Sequence, residues 1–145
     1  SRVCYSFNGK GRGKQAFATR KQTEVNSMNN YSKISLSENG RTELHDALSL
    51  TGAEISVNSL PAGASVPFVH VHRQNEEIYA VLEGKGKAEI DGESIEIKAG
   101  DWVRIAPKAK RRFFAADDEG IKYICIQVKE NSLGGYSMAD AEIAQ

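Results

Sequence analysis

The chemistry most plainly written into this chain of 145 residues belongs to two histidines and a carboxylate. His70 and His72 stand two apart in Phe68-Val69-His70-Val71-His72, and Glu77 follows the polar break Arg73-Gln74-Asn75. In an extended segment, residues two apart project to one side roughly 6 to 7 Å from each other. Both imidazoles then share one space, and Val69 and Val71 face the other way. Residues 77–82, Glu-Ile-Tyr-Ala-Val-Leu, read as a second strand that folds back and aims Glu77 at the same point. Two imidazoles and one carboxylate suit a single divalent transition metal, with Fe, Mn, Ni, Zn and Co all compatible, and leave positions open for water, substrate or oxygen. The metal-free alternative is a polar pocket in which the three groups bond to one another.

The spacing Gly63, His70, His72, Glu77, Gly84 resembles the first motif of the cupin superfamily, G-x(5,6)-H-x-H-x(3,4)-E-x6-G, with every position filled. The resemblance covers roughly residues 53–128. It implies an all-β fold, a cupin-type jelly-roll β-barrel with short peripheral helices, and a metal held by His70, His72 and Glu77. Cupins commonly pair, so it also implies a homodimer. Its enzymes include dioxygenases, decarboxylases and isomerases. The expected activity is therefore that of a metal-dependent oxidoreductase, lyase or isomerase acting on a small anionic or carbohydrate-like molecule. The alternative is a non-catalytic module that binds such a ligand.

The family's second motif, G-x5-P-x-G-x2-H-x3-N, is matched only in part. Gly100 and Pro107 fit with one extra residue between them, after which Ala109, Arg112 and Ala116 replace the glycine, the histidine and the asparagine. The resemblance thus leaves three metal ligands, with Arg112 where a further histidine is usual. If Arg112 reaches the cavity it orients an anionic substrate; if it faces solvent it is one base among several in residues 108–112. Lys110 and Phe114 share its face, and Arg111 and Phe113 take the other. Alternation puts Tyr79 and Val81 on the face of Glu77 and turns Glu76 outward. Tyr79 and Arg112 are the candidate proton and charge partners of the reaction.

Strands must position these groups. Residues 53–60 alternate, and residues 60–63 turn the chain into the motif. Asp91-Gly92 between residues 87–90 and 94–97 signals a two-residue hairpin, because both positions accept positive φ. Residues 102–105, 111–115 and 121–128 supply three more strands, with breaks at Pro107 and residues 117–120. Of the last strand, the set Tyr123, Cys125 and Gln127 is expected to line the cavity, leaving Ile124, Ile126 and Val128 for a second layer or a partner subunit. Residues 42–50 carry Leu44, Ala47 and Leu48 at helical spacing with Thr42 as the cap, and His45 on that helix reads as a surface histidine. Residues 31–36 alternate weakly, and a last short helix is expected over residues 137–144. Trp102 reads as a core residue.

Composition bounds the rest. Nineteen bases balance nineteen acids, yet residues 1–28 hold six bases against Glu24, a net +5, which leaves the remainder at −5. Residues 1–28 read as a basic, polar arm and residues 29–145 as the cupin domain. A body of net negative charge repels nucleic-acid phosphate. The run Gly9-Lys10-Gly11-Arg12-Gly13-Lys14 is not a phosphate loop, since Asn8 and Gln15 stand where a glycine and a Ser or Thr are required. No apolar run approaches the roughly 20 residues that span a bilayer. The beginning of the chain shows no secretory pattern, so a cytoplasmic setting is expected. The two cysteines form no disulfide framework, and Cys125 reads as a small core residue.

Overall fold

The computed structural model describes residues 30–36, 40–136 and 140–144. The expected basic arm, the phosphate-loop comparison and Cys4 lie outside these residues. The described elements run β1 (Arg41–Glu43), α1 (His45–Leu48), β2 (Glu54–Leu60), β3 (Asn75–Ile90), β4 (Glu93–Lys98), β5 (Trp102–Ile105), β6 (Arg111–Ala115) and β7 (Ile121–Lys129). All pairings are antiparallel, as expected for strands that alternate apolar and polar residues. One layer is ordered β1-β2-β7-β3-β5, and the second sets β4 and β6 on either side of β3. The fold is an all-β jelly roll.

Strand β3 belongs to both layers and holds them together. Its first part pairs with β7 and β5, and from Lys85 onward it pairs with β4 and β6. The residues on either side of Gly84 had read as two separate strands; they are one, bent at a register shift between Val81 and Glu83. Gly84 adopts φ +75°, and a Cβ there would lie 1.8 Å from the carbonyl oxygen of Gly120. No side chain fits, so the motif's last glycine is the corner of the fold.

The inner faces meet in a core of aromatic and aliphatic groups. Phe113 of β6 stacks on Tyr79 of β3 at 4.1 Å and on Tyr123 of β7 at 5.5 Å between ring centres, each contact adding about 0.5–1.5 kcal/mol beyond area burial. Ile97, Ile105 and Ile121 close around them. The hairpin between β3 and β4 turns through Asp91 and Gly92 at φ 49° and 85°, as its sequence demands.

Several expectations fail locally. Thr42 pairs with Val57 in β1 instead of capping a helix, and α1 is one turn of four residues whose preceding Leu44 makes no side-chain cap. Residues 31–36 form no strand, and residues 140–144 are not helical; residues 137–139 lie outside the described set. Trp102 is 69% exposed. Its strand is an edge of the first layer, and alternation sends Val103 and Ile105 to the core, leaving Trp102 on the outer face. Among the described residues no helix is long and apolar enough to cross a membrane.

Replacing Gly84 with alanine is expected to lower stability by more than about 2 kcal/mol, from a strained left-handed residue and the clash with Gly120. A shift of the urea midpoint of less than a few tenths of a kcal/mol in equivalent free energy would show that the corner tolerates a side chain.

Candidate metal centre

Residues 63–72 are not a regular strand, yet they run antiparallel beside β6. The amide of Val66 donates to the carbonyl of Phe113, that of His70 to Arg111, and that of Arg111 back to His70. The amide of His72 donates to the carbonyl of Pro107. This pairing keeps the alternation: Val69 and Val71 are exposed, whereas the two imidazoles turn inward and keep 20% exposure each. Glu77, on β3, is 2% exposed and faces them.

The candidate ligand atoms of His70, His72 and Glu77 lie within 4.8 Å of one another. Nε2 of His72 stands 3.2 Å from Oε2 of Glu77, and Nε2 of His70 stands 3.7 Å from Oε1. The carboxylate has further partners. Tyr79 donates its hydroxyl to Oε1 at 2.9 Å, and the buried thiol of Cys125 donates to Oε2 at 3.1 Å. Burial opposes ionisation of Glu77, but the contacts from His70, His72 and Cys125 outweigh it and hold the carboxyl well below the usual range. Burial, reinforced by the neighbouring Cys125 and Glu77, pushes the Tyr79 phenol up, and burial and Glu77 push the Cys125 thiol up. Both therefore stay protonated and serve as donors.

The arginine that reaches the cluster is Arg111. It is 0% exposed and donates Nη1 to Oε1 of Glu77 at 2.6 Å. Its Nε and Nη2 are taken by the carbonyls of Ala106, Pro107 and Ala109. Arg112, expected at the position of the missing histidine, does not bond to Glu77; it donates to the carbonyl of Val66 and the hydroxyl of Ser65, lies 4.8 Å from the Phe114 ring centre and lines the cavity away from the cluster. The two signals that could have singled out Arg111 were both present. The extra residue between Gly100 and Pro107 shifts the register by one, and Phe113, which must be core, shares its face with Arg111.

A cavity of roughly 1590 Å³ opens in front of the cluster, lined by His70, His72, Glu77, Tyr79, Cys125 and Gln127 among others. Arg112 lines it further out. Tyr123 and Cys125 are buried toward this interior, as the alternation of the last strand led one to expect. His45 lies at its margin, 2.9 Å from Asp46, and is not one of the clustered groups. Glu76 faces outward and pairs with Arg104 at 2.6 Å.

The cupin domain profile matches residues 57–127. The crystal structure of a cupin protein from Bacteroides fragilis is 59% identical, with a TM-score of 0.79, over 81% of this chain and 100% of that one. The chain belongs to the cupin family. An uncharacterised protein of Methanocaldococcus jannaschii is 34% identical over 86 residues, and the match spans 59% of this cupin and 64% of that relative. A sugar phosphate isomerase from a cupin superfamily of Silicibacter pomeroyi shares the fold at a TM-score of 0.55 and 22% identity, over 62% of this chain and 60% of that one.

The donor types in this cupin and the spacing of the His72–Glu77 pair fit a divalent ion. Nε2 of His72 is buried without a well-aligned hydrogen bond, although it faces Oε2 of Glu77. Two ligands each about 2.1 Å from one ion are about 3.0–3.4 Å apart at right-angled to tetrahedral geometry, which brackets the observed 3.2 Å. Two imidazoles and a carboxylate are donors that Fe, Mn, Co, Ni and Zn accept. Arg111 does not close this face, because it approaches Glu77 through Oε1 and leaves Oε2 beside His72.

Glu77→Ala would strand Arg111 as a buried charge without its anion. The expected loss is about 3–5 kcal/mol, read as a lower urea midpoint at unchanged slope; a loss below about 1 kcal/mol would mean that the carbonyls of residues 106–109 suffice for the guanidinium.

Proposed function

We propose that this cupin binds one divalent transition metal through His70, His72 and Glu77 and acts on a small oxygen-rich molecule in the adjoining cavity. The reaction would be of dioxygenase, decarboxylase or isomerase type. The observation that carries the reading is the convergence of His70, His72 and Glu77 on one point of the cavity, their ligand atoms within 4.8 Å of one another and His72 Nε2 3.2 Å from Glu77 Oε2. A bound metal would supply Lewis acidity, polarising a carboxylate, carbonyl or oxygen group. The protein's own part is to hold Glu77 ionised and to exclude bulk water on the side of Phe113 and Tyr123. Tyr79 keeps its proton on Glu77, so its role is to orient that carboxylate. The cavity wall carries four carboxylates, Glu43, Asp46, Glu54 and Glu77, against Arg41 and Arg112. An anionic substrate therefore depends on the metal and on these two arginines for its attraction.

One observation favours the second reading, a ligand-binding module without catalysis. Arg111 already neutralises Glu77, so charge balance does not require the ion. Metal analysis separates the two. Protein purified without chelator is expected to hold or take up one transition metal ion per chain, and His70→Ala or His72→Ala is expected to weaken uptake at least about 100-fold with the fold retained. Wild-type protein that takes up no such ion in a titration would leave only the binding module.

We further propose that the chain forms a homodimer through the outer face of the first layer. Trp102 is exposed on the face that the register gives to the half-buried Ile78, Ile124 and Ile126, and a second copy can cover these apolar groups about a twofold axis. Trp102→Glu is expected to convert the sedimenting species from dimer to monomer; a wild-type protein that sediments as a monomer would refute this.

A further inference from the structure

One residue touches the supports of all three candidate ligands. Nη1 of Arg111 holds Oε1 of Glu77 at 2.6 Å. Its backbone exchanges both hydrogen bonds with His70, at 3.2 Å and 3.0 Å. Its Nη2 shares the carbonyl of Pro107, at 3.1 Å, with the amide of His72, which donates to the same oxygen at 2.8 Å. Five side-chain bonds with no exposed surface leave the guanidinium no alternative position.

We propose that Arg111 is a positioning residue of the metal centre, which fixes Glu77 by one oxygen and anchors the turn carrying His72, so that three protein donors face the cavity in one arrangement. The inference rests on the metal-binding reading above. Two opposed effects make it testable. A guanidinium beside a divalent ion repels it, so removing the charge alone would tighten binding. A residue that orients ligands has the opposite signature, because its loss lets the carboxylate rotate onto other partners and costs about 10- to 100-fold in metal affinity. The geometry favours the second effect, since Arg111 meets the carboxylate through Oε1 and stands behind the ligands instead of among the cavity-lining groups.

The experiment is a titration of wild-type, Arg111→Met and Arg111→Lys proteins with Co²⁺, followed by visible absorbance, with a thermal melt to establish that each variant is folded. Arg111→Met is expected to bind about 10- to 100-fold more weakly, and Arg111→Lys, which keeps the charge but not the fork, is expected to weaken binding as well. Equal or tighter binding by Arg111→Met overturns the positioning role while leaving the metal site standing; absence of binding by the wild type defeats the metal site itself. Should both variants fail to fold, X-ray absorption of the wild-type cobalt protein decides. Coordination by one carboxylate oxygen supports the proposal, and coordination by both overturns it.

Discussion

Everything at the centre of this molecule depends on the buried ion pair between Glu77 and Arg111. Taking two charges out of water costs several kcal/mol for each ion, and their attraction repays this only when the remaining hydrogen-bonding capacity is filled. Here it is. Arg111 spends its donors on Glu77 and on the carbonyls of residues 106–109, and Glu77 receives Arg111, Tyr79 and Cys125. The pair is thereby confined to one geometry, and that geometry leaves a single carboxylate oxygen, Oε2, beside His72.

The pair is possible because β3 and β6 are brought together by a strand that serves two layers. Glu77 sits where β3 pairs with β7 and β5, and Arg111 pairs with Ile90 at the strand's far end. A side chain as long as arginine bridges the interior between them. The bend at Gly84, which admits no Cβ, lies on the same strand between the residues that pair in the two layers.

The site's chemistry is accordingly an interplay of fixed and open positions. Tyr79, Cys125 and Arg111 all donate to the Glu77 carboxylate. The imidazoles retain solvent access through the cavity, and Arg112 lines the cavity away from the cluster. A ligand entering from that side meets the histidines first, then the ionised carboxylate, with aromatic packing from Phe113, Tyr79 and Tyr123 beneath.

Local rules made much of this readable in the chain itself. Alternation determined the strands, the inward turn of His70, His72 and Glu77, and the burial of Tyr123 and Cys125, because period-two patterning acts within a few residues. The glycine and Asp-Gly positions followed from their tolerance of positive φ. Trp102 departs from a core reading because hydrophobicity does not tell an inner from an outer sheet face, and Thr42 from a cap because pairing with β2 outcompetes a helical turn too short to stand alone. Arg112 lines the cavity, one of the two positions its spacing allowed, while the guanidinium on Glu77 is that of Arg111, because the extra residue before Pro107 shifts the strand by one and a shift of one exchanges the two faces. Patterning within a few residues is enough to set the strands and to converge His70, His72 and Glu77, whereas the arginine that meets them depends on strand register and on a partner 34 residues away, which only the assembled fold brings together.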